Sequence, residues 1–214
     1  MSNVNGALPI RGQTLLSGNA NRTLTSTLGA DREGSIMTFD DIDPTATTGV
    51  KTKRSNRTVT AMLVRNAAAA ALLPKYIVKW KSGQRNKQVD GYTCVTNEAA
   101  AGVVDEFLGS AGVAVNDLFW LVVKGPTLIK TPLEGDATNV ISMDDILGAL
   151  TAATSGATTS GRVGVVALTA TSTATTDGKL GAALFNSFGR ALSAKTTANT
   201  NADVLVDVFF AKSI

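Results

Sequence analysis

Residues 57–81, RTVTAMLVRNAAAAALLPKYIVKWK, decide how this chain is read. In the first ten, Val59, Ala61 and Leu63 alternate with their neighbours. In the last seven, Tyr76, Val78 and Trp80 alternate with Lys75, Ile77, Lys79 and Lys81. A period of two puts successive side chains on opposite faces of an extended chain, so each half predicts a β-strand. The alanines between them favour helix, but Pro74 closes the run after a few residues, and so short a helix is marginal. A wide turn or a single helical turn is expected there.

Working outward, SGQRNKQVDG (82–91) reads as a basic loop, and YTCVT (92–96) as a β-branched strand in which Cys94 is a small buried hydrophobe. In residues 101–131, AGVVDEFLGSAGVAVNDLFWLVVKGPTLIKT, positions 103–107 predict a strand, 115–117 a turn, and 118–124 a buried strand ended by Gly125-Pro126. Phe119 and Trp120 are adjacent and must face opposite sides of the sheet. One is core; the other belongs under a loop or at a subunit contact. SMDDILGAL (142–150) offers Ser142 as an N-cap with Asp145 three residues on, which predicts a short helix cut off by Gly148. Two Thr/Ala/Ser-rich stretches, 151–160 and 167–176, flank a strand in RVGVVAL, and NSFGRAL (186–192) and VLVDVFF (204–210) complete the pattern. The fold class expected is mainly β, a compact β-barrel or β-sandwich domain with one or two short helices.

The texture changes near Ser55. Residues 1–56 scatter isolated apolar residues among Ser, Thr, Asn and Gly with no sustained period, so they cannot bury enough of themselves to fold alone. They read as an extended N-terminal arm attached to a domain over 57–214. Within the arm, Ile36, Met37 and Phe39 form an apolar cluster followed by Asp40, Asp41 and Asp43. A basic run of Lys51, Lys53, Arg54 and Arg57 comes next. Solvated loop accounts for both charge blocks; the sharper reading is an anchor with two oppositely charged patches that orders on a partner. The aspartates resemble the start of a calcium loop, but Pro44 follows and the later glutamate is missing.

The chain has no histidine and one cysteine in 214 residues. That removes the usual general base, the His-containing zinc sites and every Cys-His pair. Neither a metal nor a cofactor is expected, and the Gly178-Lys179 step lacks the spacing of a phosphate loop. Asp144 and Asp145 are explained by helix capping. A net charge of +3 is too mild to identify a nucleic-acid binder. No stretch approaches the roughly 20 apolar residues that cross a bilayer, so a membrane partner is not expected. A lone cysteine gives no disulfide framework and suits synthesis in a cytoplasm.

The succession TVTAMLVRNAAAAALLPKYIVKW, VDGYT, AAAGVVDEFLGSAGVAVNDLFWLVVKGP, LFNSFGRAL and DVLVDVFF resembles tailed-phage head decoration, or cement, proteins with a small β-barrel. Shared are a strand ending in an "RN" step before "LLP…V", a "GV…D" segment leading to "W…V…GP", and a "GRAL" strand before the terminal one. The resemblance covers roughly residues 57–214; the long arm lies outside the shared pattern. It implies a capsid-binding protein without enzymatic activity.

The expectation is therefore a virion structural protein on the capsid exterior, made in the host cytoplasm. It would stabilise junctions between major capsid protein subunits as a homo-oligomer, a trimer rather than a dimer. Leu8, Ile10, Leu15, Leu16, Ile36, Met37 and Phe39 are the arm anchors expected to touch the shell; Lys51, Lys53, Arg54 and Arg57 would face acidic capsid surface. Deleting residues 1–50 is expected to leave a folded barrel that does not bind shells. Two rivals stand beside this. A single-stranded nucleic-acid module would use Lys75, Lys79, Lys81, Arg85 and Lys87 with Tyr76 and Trp80 as stacking faces. A carboxylate hydrolase would use Asp105, Glu106 or the Asp144-Asp145 pair.

Overall fold

The computed structural model describes residues 33–42, 53–92, 100–131, 140–149, 162–165, 187–195 and 203–210. They form ten strands: β1 (Ile36–Ile42), β2 (Lys53–Asn66), β3 (Ile77–Trp80), β4 (Gln88–Tyr92), β5 (Ala100–Val104), β6 (Leu118–Lys130), β7 (Ile146–Ala149), β8 (Val163–Val165), β9 (Ser187–Ala191) and β10 (Asp203–Phe209). Among the described residues there is no α-helix. The mainly β class read from the sequence is what the chain adopts.

All ten strands belong to one sheet in the order β1-β2-β4-β3-β5-β6-β10-β9-β7-β8, and β2 also pairs with β6. That extra pairing runs antiparallel from Thr60↔Lys124 to Arg65↔Leu118 and closes β2, β4, β3, β5 and β6 into a ring of hydrogen-bonded neighbours. Closure removes the free edges those five strands would otherwise present. Two long strands make it possible. β2 carries β1 and then β4 along one edge and β6 along the other. β6 carries β5 near Leu121 and β10 from Lys124 to Lys130.

The sequence predicts that Gly125-Pro126 ends the strand beginning at Leu118; instead β6 runs through both residues. Phe210 N–H donates to Val123 O at 2.9 Å, and the register from that bonded pair places Asp207 opposite Pro126 on a non-bonded step. The missing proline N–H is therefore not needed by β10. Gly125 has φ +100, and a Cβ there would stand 2.3 Å from Thr58 O, so the close approach of β2 requires glycine.

The interior is one continuous cluster. Met62 and Val64 of β2, Ile77 and Val78 of β3, Val89 of β4, Val103 of β5 and Phe119 and Leu121 of β6 fill it from the ring. Val204, Val206 and Val208 extend it under β10. A smaller cluster lies separately: Ala61, Leu63, Leu118 and Trp120, with Phe39 of β1 packed against it. Phe119 and Trp120 thus face opposite sides, as their adjacency requires. Trp120 meets Phe39 edge-on at 5.4 Å and 72°.

Residues 36–42 and 53–56, which the sequence assigns to the arm, are strands of this sheet. The alanine run is a wide turn clasped by buried Asn66. Its Nδ2 donates to Val113 O at 2.9 Å and Ala70 O at 3.1 Å, and its Oδ1 accepts Ala68 N–H at 2.9 Å. The helix predicted at 142–150 is a turn followed by β7. Asp145 does accept the Ser142 N–H, at 2.7 Å, as a capping residue would. Asp144, however, has φ +70, and Ile146–Ala149 pairs with β8 and β9. The strand predicted over 103–107 is displaced: β5 ends at Val104, and Asp105 and Glu106 begin a turn. Cys94 and the stretches 151–160 and 167–176 lie outside the described residues.

Candidate functional site

The acidic and basic blocks that the sequence offers as outward patches meet each other where β1 ends and β2 begins. Arg54 grips Asp41 with two nitrogens, Nη2 to Oδ1 at 2.9 Å and Nε to Oδ2 at 3.3 Å. Its third nitrogen, Nη1, reaches Glu106 Oε2 at 2.8 Å, and Nη2 also donates to Pro126 O at 3.2 Å. Ser55 Oγ adds a 2.8 Å bond to Asp41, and the Phe107 ring lies under the guanidinium, 5.7 Å from its centroid. Asp41 is fully buried and the Glu106 side chain nearly so. Burial works against the Arg54 charge, but the bonds to Glu106 and Asp41 more than offset it and hold the guanidinium above its ordinary basicity. One arginine thus ties β1, β2, β6 and the turn after β5 together.

Arg57 pairs across the sheet with Asp207 of β10, both about half exposed. Lys53 lies at the start of β2. Lys51 and the anchors Leu8, Ile10, Leu15 and Leu16 lie outside the described residues. Of the remaining anchors, Phe39 is turned inward onto Trp120, while Ile36 and Met37 are 47% and 38% exposed. They sit on β1, an end strand of the sheet order, so an apolar strand edge faces outward.

At the N-terminal side of β1, Gly34 N–H donates to Leu63 O at 2.8 Å, and Glu33 forms a buried ion pair with Arg65. Arg65 also donates from Nη1 to Asn116 O at 3.0 Å. The same region touches the β3–β4 hairpin. Arg65 N–H donates to Lys87 O at 2.9 Å, and Gly34 lies so close that a Cβ on it would be 3.0 Å from Asn86 O. Exposed Ile36 and Met37 and the basic hairpin therefore adjoin one another at the place where residues 1–32 join the fold. The sequence does not signal this juxtaposition, because it depends on the β1–β2 register.

Several residues of the two rival readings have structural occupations. Tyr76 stacks on Tyr92 at 4.7 Å, and the Arg162 guanidinium stands over it at 5.8 Å. Trp80 is half-buried against the core. Lys75 and Lys130 both bind Asp203, whose carboxyl they hold below its usual range although burial pushes it the other way. Glu106 serves Arg54, Asp105 accepts the Phe107 N–H at 3.3 Å, and Asp145 caps Ser142. Among the described residues no group of three or more His, Cys, Asp or Glu side chains could hold a metal ion.

No protein-family model matches this chain, and no curated protein matches it. Among solved structures, a chain from the capsid of Myoviridae Phage XM1 is similar over 75% of this chain and 88% of that one, at 15% identity and a TM-score of 0.39. At that level the likeness assigns neither family nor function.

Proposed function

We propose that this chain is a virion structural protein that binds the outside of a phage capsid and stabilises the junctions between major capsid protein subunits, as a homo-oligomer. The observation that carries this reading is the organisation around β1. β1, an end strand of the sheet among the described residues, presents Ile36 and Met37 directly after residues 1–32, which the sequence reading assigns to the N-terminal arm. Arg54 and Trp120 fasten that strand firmly to the domain. A fastened edge strand transmits to the β domain any grip that the preceding segment takes on a neighbouring subunit. The resemblance of residues 57–214 to phage cement proteins points the same way. The nucleic-acid alternative is weakened because Tyr76 and Trp80, its stacking faces, are engaged within the fold.

Removing residues 1–50 would strip away β1, uncover Trp120 and take Asp41 from Arg54, so the informative truncation stops at residue 32. The test is co-sedimentation of the full chain and of residues 33–214 with undecorated phage heads, alongside analytical ultracentrifugation of each. Saturable binding by the full chain at a fixed ratio to the capsid protein, lost in a folded truncation, is the expected result. Absence of binding by the folded full chain overturns the proposal.

A further inference from the structure

Arg162, the residue before β8, is only 6% exposed, yet no carboxylate of the described residues pairs with it. Its Nη1 donates to Thr131 O at 3.0 Å, just past the end of β6, and its guanidinium lies over the Tyr76 ring at 5.8 Å. Nε is buried and has no hydrogen-bond partner. A second buried cation adjoins it. Lys195 is 3% exposed, and burial together with the Arg162 charge holds its ammonium below its ordinary basicity. The segment that carries Lys195 is tied to Ile141 by two backbone bonds, Lys195 N–H to Ile141 O at 2.8 Å and Ile141 N–H to Lys195 O at 3.2 Å. Asp203, which pairs with the strand position next to Thr131, is held by Lys75 and Lys130. A buried donor without an acceptor is costly, most of all on a charged group, and a neighbouring buried cation adds to that cost. With Nη1 spent on Thr131, the Nε side of the fork remains, and this is an edge on which arginine takes oxyanions.

We propose that the Nε edge of Arg162 is a binding site for a small inorganic oxyanion of the phosphate or sulfate type, with Lys195 supplying positive potential beside it. Burial selects for size: where both cations are more than nine-tenths buried, an ion fits and the folded surface of a partner does not. Charge selects for the ion, because two neighbouring cations attract a doubly charged anion more strongly than acetate or chloride. The Tyr76 face and Thr131 O fix the plane of the guanidinium, so the edge is set before the ion arrives. An ion bound there ties the end of β6 to the start of β8, strands that the sheet connects only through β10, β9 and β7. It binds the folded chain alone and therefore stabilises it by mass action.

The experiment titrates inorganic phosphate, sulfate and acetate, at constant ionic strength made up with chloride, into the full chain and into an Arg162→Lys variant, which keeps a cation but loses the fork. Two readouts are taken: the thermal midpoint, and the assigned Arg162 Nε–H resonance in the isotopically labelled wild-type chain. The expected result is a midpoint that rises with phosphate or sulfate and saturates, with an affinity at least roughly tenfold weaker in Arg162→Lys. The Arg162 Nε–H resonance should move over the same concentrations. Should the variant fail to fold, the wild-type resonance decides: movement that saturates supports the site, and an unmoved resonance overturns it. A rise that does not saturate and is equal in both chains is a general salt effect and overturns the proposal. Acetate acting at the same concentrations as phosphate overturns the assignment of the ion.

Discussion

Replacing Arg54 by leucine tests whether the junction of β1, β2, β6 and the turn after β5 depends on one cation. The substitution keeps a chain of similar apolar bulk over Phe107 but leaves Asp41 and Glu106, both buried, facing each other with no guanidinium between them. Removing one partner of a buried ionic network costs about 3–5 kcal/mol, because the remaining charge stays desolvated. For a domain of this size each kcal/mol moves the midpoint about 2–4 °C, so thermal unfolding should shift down by roughly 6–20 °C. The cause is isolated by adding Asp41→Asn and Glu106→Gln to the same chain. With both carboxylates neutral, much of the loss should return, which a simple packing defect at Arg54 would not allow. Urea unfolding followed by circular dichroism gives all three stabilities. A loss below about 1 kcal/mol for Arg54→Leu, as an exposed pair would give, or a triple variant no more stable than the single one, would refute the reasoning.

Phe39→Ala should uncover Trp120, cost about 1–3 kcal/mol for a partly buried ring, and shift the tryptophan emission to longer wavelength; an unchanged spectrum would mean that β1 does not cover the indole. Gly125→Ala forces a side chain into φ +100 and against Thr58 O, and should destabilise by at least about 1–3 kcal/mol in the same urea assay; a neutral result would contradict the close β2–β6 approach. Asp203 is held below its unfolded value of 3.8 by Lys75 and Lys130, so its contribution is present above that pH and fades as pH falls through the lower folded value. Relative to Asp203→Asn, the wild-type chain should therefore gain stability above pH 3.8 and lose that advantage in stronger acid; parallel pH profiles would remove the ion pair from the account.

Strands whose reading rests on local period were legible. In β2, Met62 and Val64 face the larger cluster and Ala61 and Leu63 the smaller, and the closing strand alternates buried and half-buried positions, whereas Ile77 and Val78, expected on opposite faces of β3, are both buried in the larger cluster. The opposite facing of Phe119 and Trp120 follows from adjacency alone. What the sequence hid depends on partners distant along the chain. Pro126 is tolerated inside β6 only because β10 meets it at a non-bonded step. Ser142 and Asp145 make the local bond of a capped helix, yet the pairing of β7 with β8 and β9 decides for a strand. Asp41 and Arg54 read as two outward patches because their third partner, Glu106, stands 52 residues further on. The adjacency of the hairpin to Gly34 likewise emerges only once β1 is in register on β2.

The place of β10 in the sheet has a consequence for biosynthesis. Every ring strand lies between Lys53 and Lys130, so the ring can close while later residues are still being translated. β7, β8 and β9 emerge next, but β10, the strand that joins them to β6, leaves the ribosome after all three. Until then β7, β8 and β9 can pair only with one another, and Leu147, Val163 and Phe188, buried in the finished fold, lack the strand that joins them to the ring. The nascent chain thus passes through an interval in which the ring is complete while Leu147, Val163 and Phe188 are not yet joined to it, and this is the stage at which a chaperone would have most to protect.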